Sequence, residues 1–491
     1  MFYYKNIKDN DVSRRRPQKL FESIDKNIEY LKSLFDESAD FTVREFYLSK
    51  NKCAIITIEG MINKDTFAES VLNPVIRYGD GGKSGKELFE RIKLKLLSAS
   101  EVVEIKTIDE VLKFSMSGFA VVAVDNCSRM LAIGVQGFSF RGISEPETEV
   151  SQRGSREGFV EPLRINMTLI RRRIKNPALK FEQMTLGDTS QTDICLCYLN
   201  DRADKKVIKE LKKRLNSVTT ETVLAAGYLV DFLDDDGISI FSGVGLSERP
   251  DTVCGKLTEG RIAIVIDGTP SVLIVPYLFV ENFQTLDDYS ERPYFATITR
   301  WLKYLSFFVS IFTPALYVAA AVYNPEIFPE ELLSLISESV ASTPFPIMIE
   351  VLVIYFIYEV MREAGLRLPR TLGHAVSIVG ALVIGETAVS AGLIGPPTLM
   401  VVAITAISSY VIPNLYAPAA LIRVVFVIIG GLFGFWGISI ASAYLLIMIC
   451  GKNSFGIPYT MPVSPLSVLG LRDVIIRAGW KSLSKKRFNV S

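Results

Sequence analysis

Tyr304-Leu-Ser-Phe-Phe-Val-Ser-Ile-Phe-Thr-Pro-Ala-Leu-Tyr-Val-Ala-Ala-Ala-Val-Tyr-Asn-Pro325 decides the class of this fold, because none of its side chains is charged. A helix rises about 1.5 Å per residue, so this run is long enough to cross a hydrocarbon core of about 30 Å. Arg300 and Lys303 stand directly before it, at the place where a membrane boundary would lie. The stretch therefore predicts a membrane-spanning helix.

Further apolar runs follow toward the C-terminus, at residues 344–361, 374–394, 397–412 and 419–450. Five spans starting from the inside would leave the C-terminus outside. The end of the chain is nevertheless rich in lysine and arginine, which favours the inside. We therefore predict an α-helical multi-pass membrane domain of four to six spans over residues 299–450, and a basic C-terminal tail over residues 451–491.

The distribution of charge predicts the orientation of the chain. Residues 324–343 hold four glutamates and no lysine or arginine, whereas Arg362, Arg367 and Arg370 follow the next apolar run. Positive loops stay inside, so the acidic connector is expected outside and the arginines inside. The N-terminus lacks the apolar core of a signal peptide, so the region before the first span is expected in the cytoplasm. With 54 basic against 53 acidic residues, nucleic acid is not an expected partner.

The residues before the first span predict a soluble α/β region of two lobes, at 1–150 and 151–298. Apolar spacing predicts helices over 21–35, 86–98, 107–116, 202–215 and 220–233. β-Branched runs predict strands over 53–58, 119–124, 130–135, 193–199, 261–266 and 271–275. Asp267-Gly268 between the last two runs is typical of a hairpin turn, and we interpret it as structural.

Residue types that commonly carry chemistry are scarce. His374 is the only histidine, which excludes histidine clusters for metal and any catalytic triad without this residue. Cys195 and Cys197 alternate with apolar residues, which favours a strand over a metal site. The loop from Gly79 to Gly85 lacks the first glycine of a phosphate-binding loop, and Asp234-Asp-Asp-Gly237 lacks the spacing of a calcium loop. The sequence predicts no catalytic, cofactor-binding or metal-binding residue, and no cofactor.

Glu386 is the residue that physical reasoning singles out. An ionisable side chain inside an apolar helix is unfavourable by about 2.5 kcal/mol or more unless it faces protein or water. Thr387 and Ser390 follow it at spacings that extend one polar stripe, so the three side chains either line an aqueous pore or form an interhelical hydrogen-bonding site. His374 and Arg423 lie nearer predicted helix ends, where an interfacial position is the simpler interpretation.

Several longer motifs resemble a known family. They are Arg153-Gly-Ser-Arg-Glu-Gly-Phe-Val-Glu161, Leu169-Ile-Arg-Arg-Arg173, Gly255-Lys-Leu-Thr-Glu-Gly-Arg-Ile-Ala-Ile-Val-Ile-Asp-Gly-Thr-Pro270, Arg362-Glu-Ala-Gly-Leu-Arg-Leu-Pro369, Ser377-Ile-Val-Gly-Ala-Leu-Val-Ile-Gly385 and Ser454-Phe-Gly-Ile-Pro-Tyr459. With these motifs the chain from about residue 150 onward resembles the A subunit of the GerA family of spore germination receptors. The first lobe resembles that family in general layout.

The resemblance implies a place in the spore inner membrane and a role in germination. It implies a complex with a transporter-like, nutrient-binding B subunit and a lipoprotein C subunit. It also implies a homo-oligomer, possibly a pentamer, that forms a nutrient-gated monovalent cation channel. Three alternatives stay open: an accessory germination channel of the same family, a secondary transporter with broken helices near Gly395-Pro-Pro397, and a membrane-anchored scaffold.

Overall fold

The computed structural model describes residues 18–483 except 37, 49, 79–83, 98–100, 138–144, 147–148, 150, 152, 236–238 and 369–384. The chain divides into two compact units. The first comprises the chain up to Asp234 together with Val244–Pro276, and the second comprises Asp235–Gly243 together with Tyr277–Arg487. The expected division into an α/β region followed by apolar helices is confirmed.

The first unit contains two antiparallel sheets and the helices that cover them. Its helices are α1 Ile24–Phe35, α2 Lys64–Phe67, α3 Asn73–Tyr78, α4 Gly85–Arg91, α5 Ile108–Ser115, α6 Leu163–Arg173, α7 Lys205–Asn216, α8 Gly227–Leu233 and α9 Pro250–Thr258. Its strands are β1 Phe41–Leu48, β2 Asn51–Ile58, β3 Val102–Ile105, β4 Phe119–Val124, β5 Met130–Gly134, β6 Leu179–Leu186, β7 Thr192–Leu199, β8 Gly245–Ser247, β9 Ile262–Ile266 and β10 Val272–Val275.

The two sheets repeat one topology. The strand order is β1-β2-β4-β5-β3 in the first sheet and β6-β7-β9-β10-β8 in the second. In each lobe a helix precedes a hairpin, further helices lead to an edge strand, and another helix leads to a second hairpin. Each sheet is thus built from the same sequence of elements, an internal repeat of structure that the amino-acid pattern alone did not suggest.

Side-chain contacts also repeat between the lobes. Asn27 is the fourth residue of α1, and its side-chain amide exchanges two hydrogen bonds with the backbone of Phe21, at 2.8 and 3.0 Å. Asn166 is the fourth residue of α6 and makes the same pair of bonds with the backbone of Val160. Both amides are buried. Each supplies hydrogen-bond partners to a backbone N–H and a backbone carbonyl just before its helix, where the chain enters the helix.

An aspartate in the second hairpin of each lobe holds the start of that lobe's first helix. The Ile24 N–H donates to Asp125 Oδ1 at 3.0 Å, and the Leu163 N–H donates to Asp267 Oδ1 at 2.8 Å. The first N–H groups of a helix have no partner within it, so a carboxylate there is stabilising. The predicted hairpin around Asp267 is confirmed by the antiparallel pairing of β9 with β10.

The predicted helix over residues 220–233 is wrong in its first half, since the structure has only Gly227–Leu233. The carbonyl of Glu221 accepts hydrogen bonds from the Thr189 and Ser190 N–H groups. The Ser190 hydroxyl in turn accepts from the Val223 N–H at 3.0 Å. These contacts with a distant turn replace the hydrogen bonds of a helix.

A buried ion pair joins the two lobes. Arg171 in α6 donates from Nε to Asp40 Oδ2 at 2.7 Å and from Nη2 to Asp40 Oδ1 at 3.0 Å. Both side chains are at most 3% exposed. The guanidinium lies over the ring of Phe181, 4.8 Å from its centroid, and the Ala39 N–H donates to the Phe181 carbonyl. We call the contacts of residues 38–40 with Arg171 and Phe181 the lobe seam.

Lys180 lies beside the lobe seam, and its titration is expected to make the stability of the unit depend on pH. Its ammonium donates to the Leu34 carbonyl at 3.0 Å, and the residue is 3% exposed. Burial lowers the pKa of Lys180 to about 8 from its ordinary 10.5. Because the folded-state pKa is the lower one, the unfolded chain binds more protons between these values. The stability of the unit should therefore rise with pH across that window.

We expect the free energy of unfolding to increase by about 2 kcal/mol between pH 8 and pH 10. Thermal loss of the β-sheet circular dichroism signal, measured on the full chain in detergent, gives this dependence. Lys180→Met removes the titrating group and should flatten the curve over this range. A curve with the same slope in both proteins would mean that other groups cause the effect.

The second unit is helical. Its helices are α10 Asp287–Ser290, α11 Pro293–Tyr323, α12 Glu330–Ser342, α13 Ile347–Arg367, α14 at residues 385–390, α15 Pro396–Tyr410, α16 Tyr416–Gly451, α17 Val468–Leu471 and α18 Trp480–Leu483. A two-stranded hairpin, β11 Asn453–Ser454 and β12 Ile457–Pro458, follows α16. The predicted boundary at residue 298 falls inside α11.

Within the described residues, two helical segments are long and apolar enough to cross a membrane, Pro293–Tyr323 and Pro413–Gly451. The pair α12 and α13, bent by 79°, would make a third if it forms one span. Residues 419–450 lie in one helix, which bends at Gly434, where φ is 59° and ψ is −149°. That backbone conformation requires glycine. The count of four to six spans stays a prediction, since residues 369–384 lie outside the described part.

Candidate functional site

The polar stripe predicted around Glu386 lies on α14. Glu386, Thr387 and Ser390 are exposed, whereas Gly385 and Ala388 on the opposite face are buried. Among the described residues the Glu386 carboxylate has no ion-pair or hydrogen-bond partner. α14 thus packs its small residues inward and directs a carboxylate and two hydroxyl groups away from the core of its own chain.

A tight connection joins α14 to α15 and is held by a buried carboxylate. Glu350, in α13, is 1% exposed and accepts a hydrogen bond at Oε1 from the Gly395 N–H, immediately before α15. A Cβ atom on Gly395 would lie 1.7 Å from the Ser339 hydroxyl oxygen and 3.1 Å from the Ser339 Cβ, so α12 and the start of α15 approach closely here. Glu350 therefore holds the start of α15, the helix that follows the polar stripe in the chain. The sequence alone did not show this contact, because Glu350 and Gly395 are 45 residues apart.

Arg423 lies inside the helical unit, where it joins four helices. Its Nε donates to the Ser310 carbonyl of α11 at 2.6 Å, and its Nη2 donates to the Ser409 hydroxyl of α15. The guanidinium lies 4.9 Å from the ring centroid of Tyr355 in α13. The side chain is 1% exposed. A place at the membrane interface stays a prediction for this residue.

The Ser310 carbonyl lacks its usual hydrogen-bond donor within α11. In a helix it would accept from the N–H four residues later, but that residue is Pro314, which has no N–H. An unsatisfied carbonyl in a water-free interior is unfavourable by several kcal/mol. Arg423 therefore supplies the hydrogen bond that Pro314 removes from α11.

A second polar cluster joins the end of α13 to the start of α16. Tyr416 donates to Glu359 Oε1 at 2.6 Å, and Arg362 Nε donates to Glu359 Oε2 at 2.9 Å. The Arg362 guanidinium lies 4.2 Å from the ring centroid of Tyr416. The three side chains are partly buried, so their charges are satisfied within the cluster.

The remaining sequence-based candidates are placed as follows. Cys195 and Cys197 lie in β7, as predicted, with buried free thiols whose sulfur atoms are 3.9 Å apart. His374 and most of the Gly79–Gly85 loop lie outside the described residues, as do the last two residues of Asp234–Gly237. In the described part of the chain no group of three or more His, Cys, Asp and Glu side chains could hold a metal ion.

The second unit consists of apolar helices that carry polar groups at selected faces, which defines a membrane-associated protein. Two α/β lobes precede these helices in the chain. The model of the GerA family, described as Bacillus/Clostridium GerA spore germination protein, matches residues 29–488. The chain belongs to this family, and the predicted resemblance to its A-type subunits is confirmed.

Named relatives agree with this assignment. The chain is 39% identical to "Spore germination protein KA" of Bacillus subtilis (strain 168), over 97% of this chain and 88% of the relative. It is 33% identical to "Spore germination protein GerLA" of Bacillus cereus, over 96% of each. A crystal structure of the N-terminal domain of the A subunit of the Bacillus megaterium spore germinant receptor GerK3 is 29% identical, with a TM-score of 0.43, and covers 54% of this chain and 99% of that chain.

Proposed function

We propose that this protein is the A subunit of a spore germination receptor and forms an oligomeric, nutrient-gated channel for monovalent cations. The exposed polar stripe on α14 carries the proposal. A carboxylate on a unit of apolar helices cannot face lipid at low free energy, so this face must meet water or another protein surface. Copies of α14 arranged around an axis would place a ring of carboxylates along a pore, and such rings favour cations.

The proposal includes a location and partners. The protein would lie in the spore inner membrane with its α/β lobes in the cytoplasm, beside a transporter-like B subunit that binds the nutrient and a lipoprotein C subunit. Its family membership and the acidic residues between α11 and α13 support this orientation. Reporter fusions at Asn324 and Ser491 test it, and a cytoplasmic signal from Asn324 would contradict it.

Glu386→Gln tests the pore. In planar bilayers that contain the full chain, we expect a severalfold loss of cation-over-anion selectivity, because the variant removes one negative charge per subunit from the proposed pore wall. The reversal potential in a KCl gradient measures this selectivity. Glu331→Gln is the matched control, since it neutralises an exposed glutamate at the start of α12 and should leave selectivity unchanged.

Three outcomes would contradict the proposal in different ways. Unchanged selectivity and conductance in Glu386→Gln would remove Glu386 from the pore. Saturable uptake of a single solute without single-channel events would favour a secondary transporter. Inserted protein without either activity would favour a scaffold.

A further inference from the structure

The C-terminal segment, which we define as residues 463–480, contacts α10 and α11 through residues 473–480 instead of extending away as a tail. Asp473 pairs with Arg300 at 3.0 Å, and Arg300 also pairs with Asp288 at 3.0 Å. Lys303 reaches the other oxygen of Asp288 at 3.0 Å. Arg300, Lys303 and Asp288 are buried. This network fixes the C-terminal segment at Asp473, near its middle, because breaking a buried ion pair is strongly unfavourable.

Two further hydrogen bonds fix the position of the C-terminal segment along the axis of α11. The Trp301 indole N–H donates to the Ile475 carbonyl at 2.8 Å, and the Tyr304 hydroxyl donates to the Val474 carbonyl at 3.1 Å. Tyr304 begins the uncharged run of α11, directly after Arg300 and Lys303. Residues 474 and 475 therefore lie level with the point at which α11 passes from polar to apolar sequence.

Most of the exposed side chains of the C-terminal segment are apolar. Large side chains are exposed on it, among them Leu466 at 71% and Val468 at 73%, together with Val463, Ile475, Ile476 and Trp480. The adjoining first turns of α11 expose Tyr294, Phe295, Ile298 and Trp301. Exposed apolar side chains are thus concentrated on the C-terminal segment and on the first turns of α11, and such a concentration on a folded chain marks a contact site.

The chemistry of this surface fits a lipid interface. Tryptophan and tyrosine concentrate where the hydrocarbon core meets the headgroups. Arg472 and Lys481 are exposed and stand in the sequence before and after Ile475, Ile476 and Trp480, so that they would meet anionic headgroups. Trp480 is held in place, since its indole N–H donates to the Tyr289 carbonyl at 3.2 Å and the buried Arg477 guanidinium lies 5.2 Å from its ring centroid.

We propose that the C-terminal segment is an interfacial anchor that lies in the bilayer surface where α11 enters it, with its apolar side chains among the upper acyl chains. In this proposal, anionic lipid covers the exposed apolar side chains of the C-terminal segment. This inference depends on α11 crossing the bilayer and does not depend on channel activity.

The three tryptophans of the chain, Trp301, Trp436 and Trp480, allow a direct test. One variant keeps only Trp480, through Trp301→Phe and Trp436→Phe, and a companion variant changes Trp436→Phe alone, so that the hydrogen bond from Trp301 to the C-terminal segment stays intact. A matched control keeps only Trp436, an 83% exposed residue of α16, through Trp301→Phe and Trp480→Phe. Each full-length variant is reconstituted into phosphatidylcholine and phosphatidylglycerol vesicles whose lipids carry bromine either near the headgroup or near the chain end.

We expect fluorescence of Trp480 to be quenched more by the shallow bromine and that of Trp436 more by the deep bromine. Quenching of Trp480 by aqueous acrylamide without quenching by either lipid would place the C-terminal segment in water and overturn the proposal. Shielding of Trp480 from acrylamide and from bromine alike would show a protein partner there, which also overturns it. In either case, quenching of Trp436 by the brominated lipids would show that α16 is inserted in the bilayer. Only the proposal of an interfacial anchor would then be wrong.

Discussion

Replacing Asp40 with alanine is expected to lower the free energy of opening of the lobe seam by about 3 to 5 kcal/mol. The substitution leaves the Arg171 guanidinium buried, with backbone carbonyls of Asn176 and Leu179 as partners but without a carboxylate. A buried charge without a counterion is far less stable than the same charge in water. Opening of the seam exposes the guanidinium to water, so the variant should open more readily. Hydrogen exchange of the full chain in detergent, followed at the Ala39 and Phe181 amides, measures the opening directly.

Two variants make this result specific. Asp25→Ala removes an exposed ion pair with Lys52, at 2.6 Å, and should change stability little because solvent screens this pair. Asp40→Ala combined with Arg171→Met removes both charges and should recover much of the loss. If the double variant opened as readily as Asp40→Ala alone, the lost packing and not the unpaired charge would be the cause.

Local patterns were sufficient for many elements of this fold. The β-branched runs on either side of Asp267-Gly268 predicted β9 and β10, because a hairpin depends on residues that are close in sequence. The uncharged run from Tyr304 predicted α11 for a similar reason, since a lipid environment excludes charge all along a helix. In both cases the structure is determined by neighbours along the chain.

Other elements depend on distant contacts and were missed. β1 was not predicted, since it alternates weakly, carries Arg44 and Glu45, and pairs only at the edge of its sheet. The internal repeat was missed as well, because its shared features are single polar residues such as Asn27 and Asn166. Their partners are backbone groups and leave no pattern of apolar residues.

The residues of the candidate site differ in the same respect: one could be identified from its neighbours in the sequence, and the other depends on a distant contact. Glu386 could be identified from sequence because a charge in an apolar run is visible locally. The role of Glu350 could not, since it acts on Gly395, which a separate helix presents. Glu386 differs from its neighbours in the sequence, whereas the role of Glu350 is defined by a contact 45 residues away.

The second large effect is expected in the helical unit, where Arg423→Met should lower its stability by about 2 kcal/mol. Methionine fills similar volume but cannot donate to the Ser310 carbonyl, which Pro314 leaves without its helical partner. Pro314→Ala restores a backbone N–H at the correct position. In that background the loss from Arg423→Met should be smaller by about 1 kcal/mol, a coupling that a double-mutant cycle isolates. SDS-induced loss of helical circular dichroism gives the four stabilities. Strictly additive effects would show that Arg423 acts through Ser409 and Tyr355, independently of the proline.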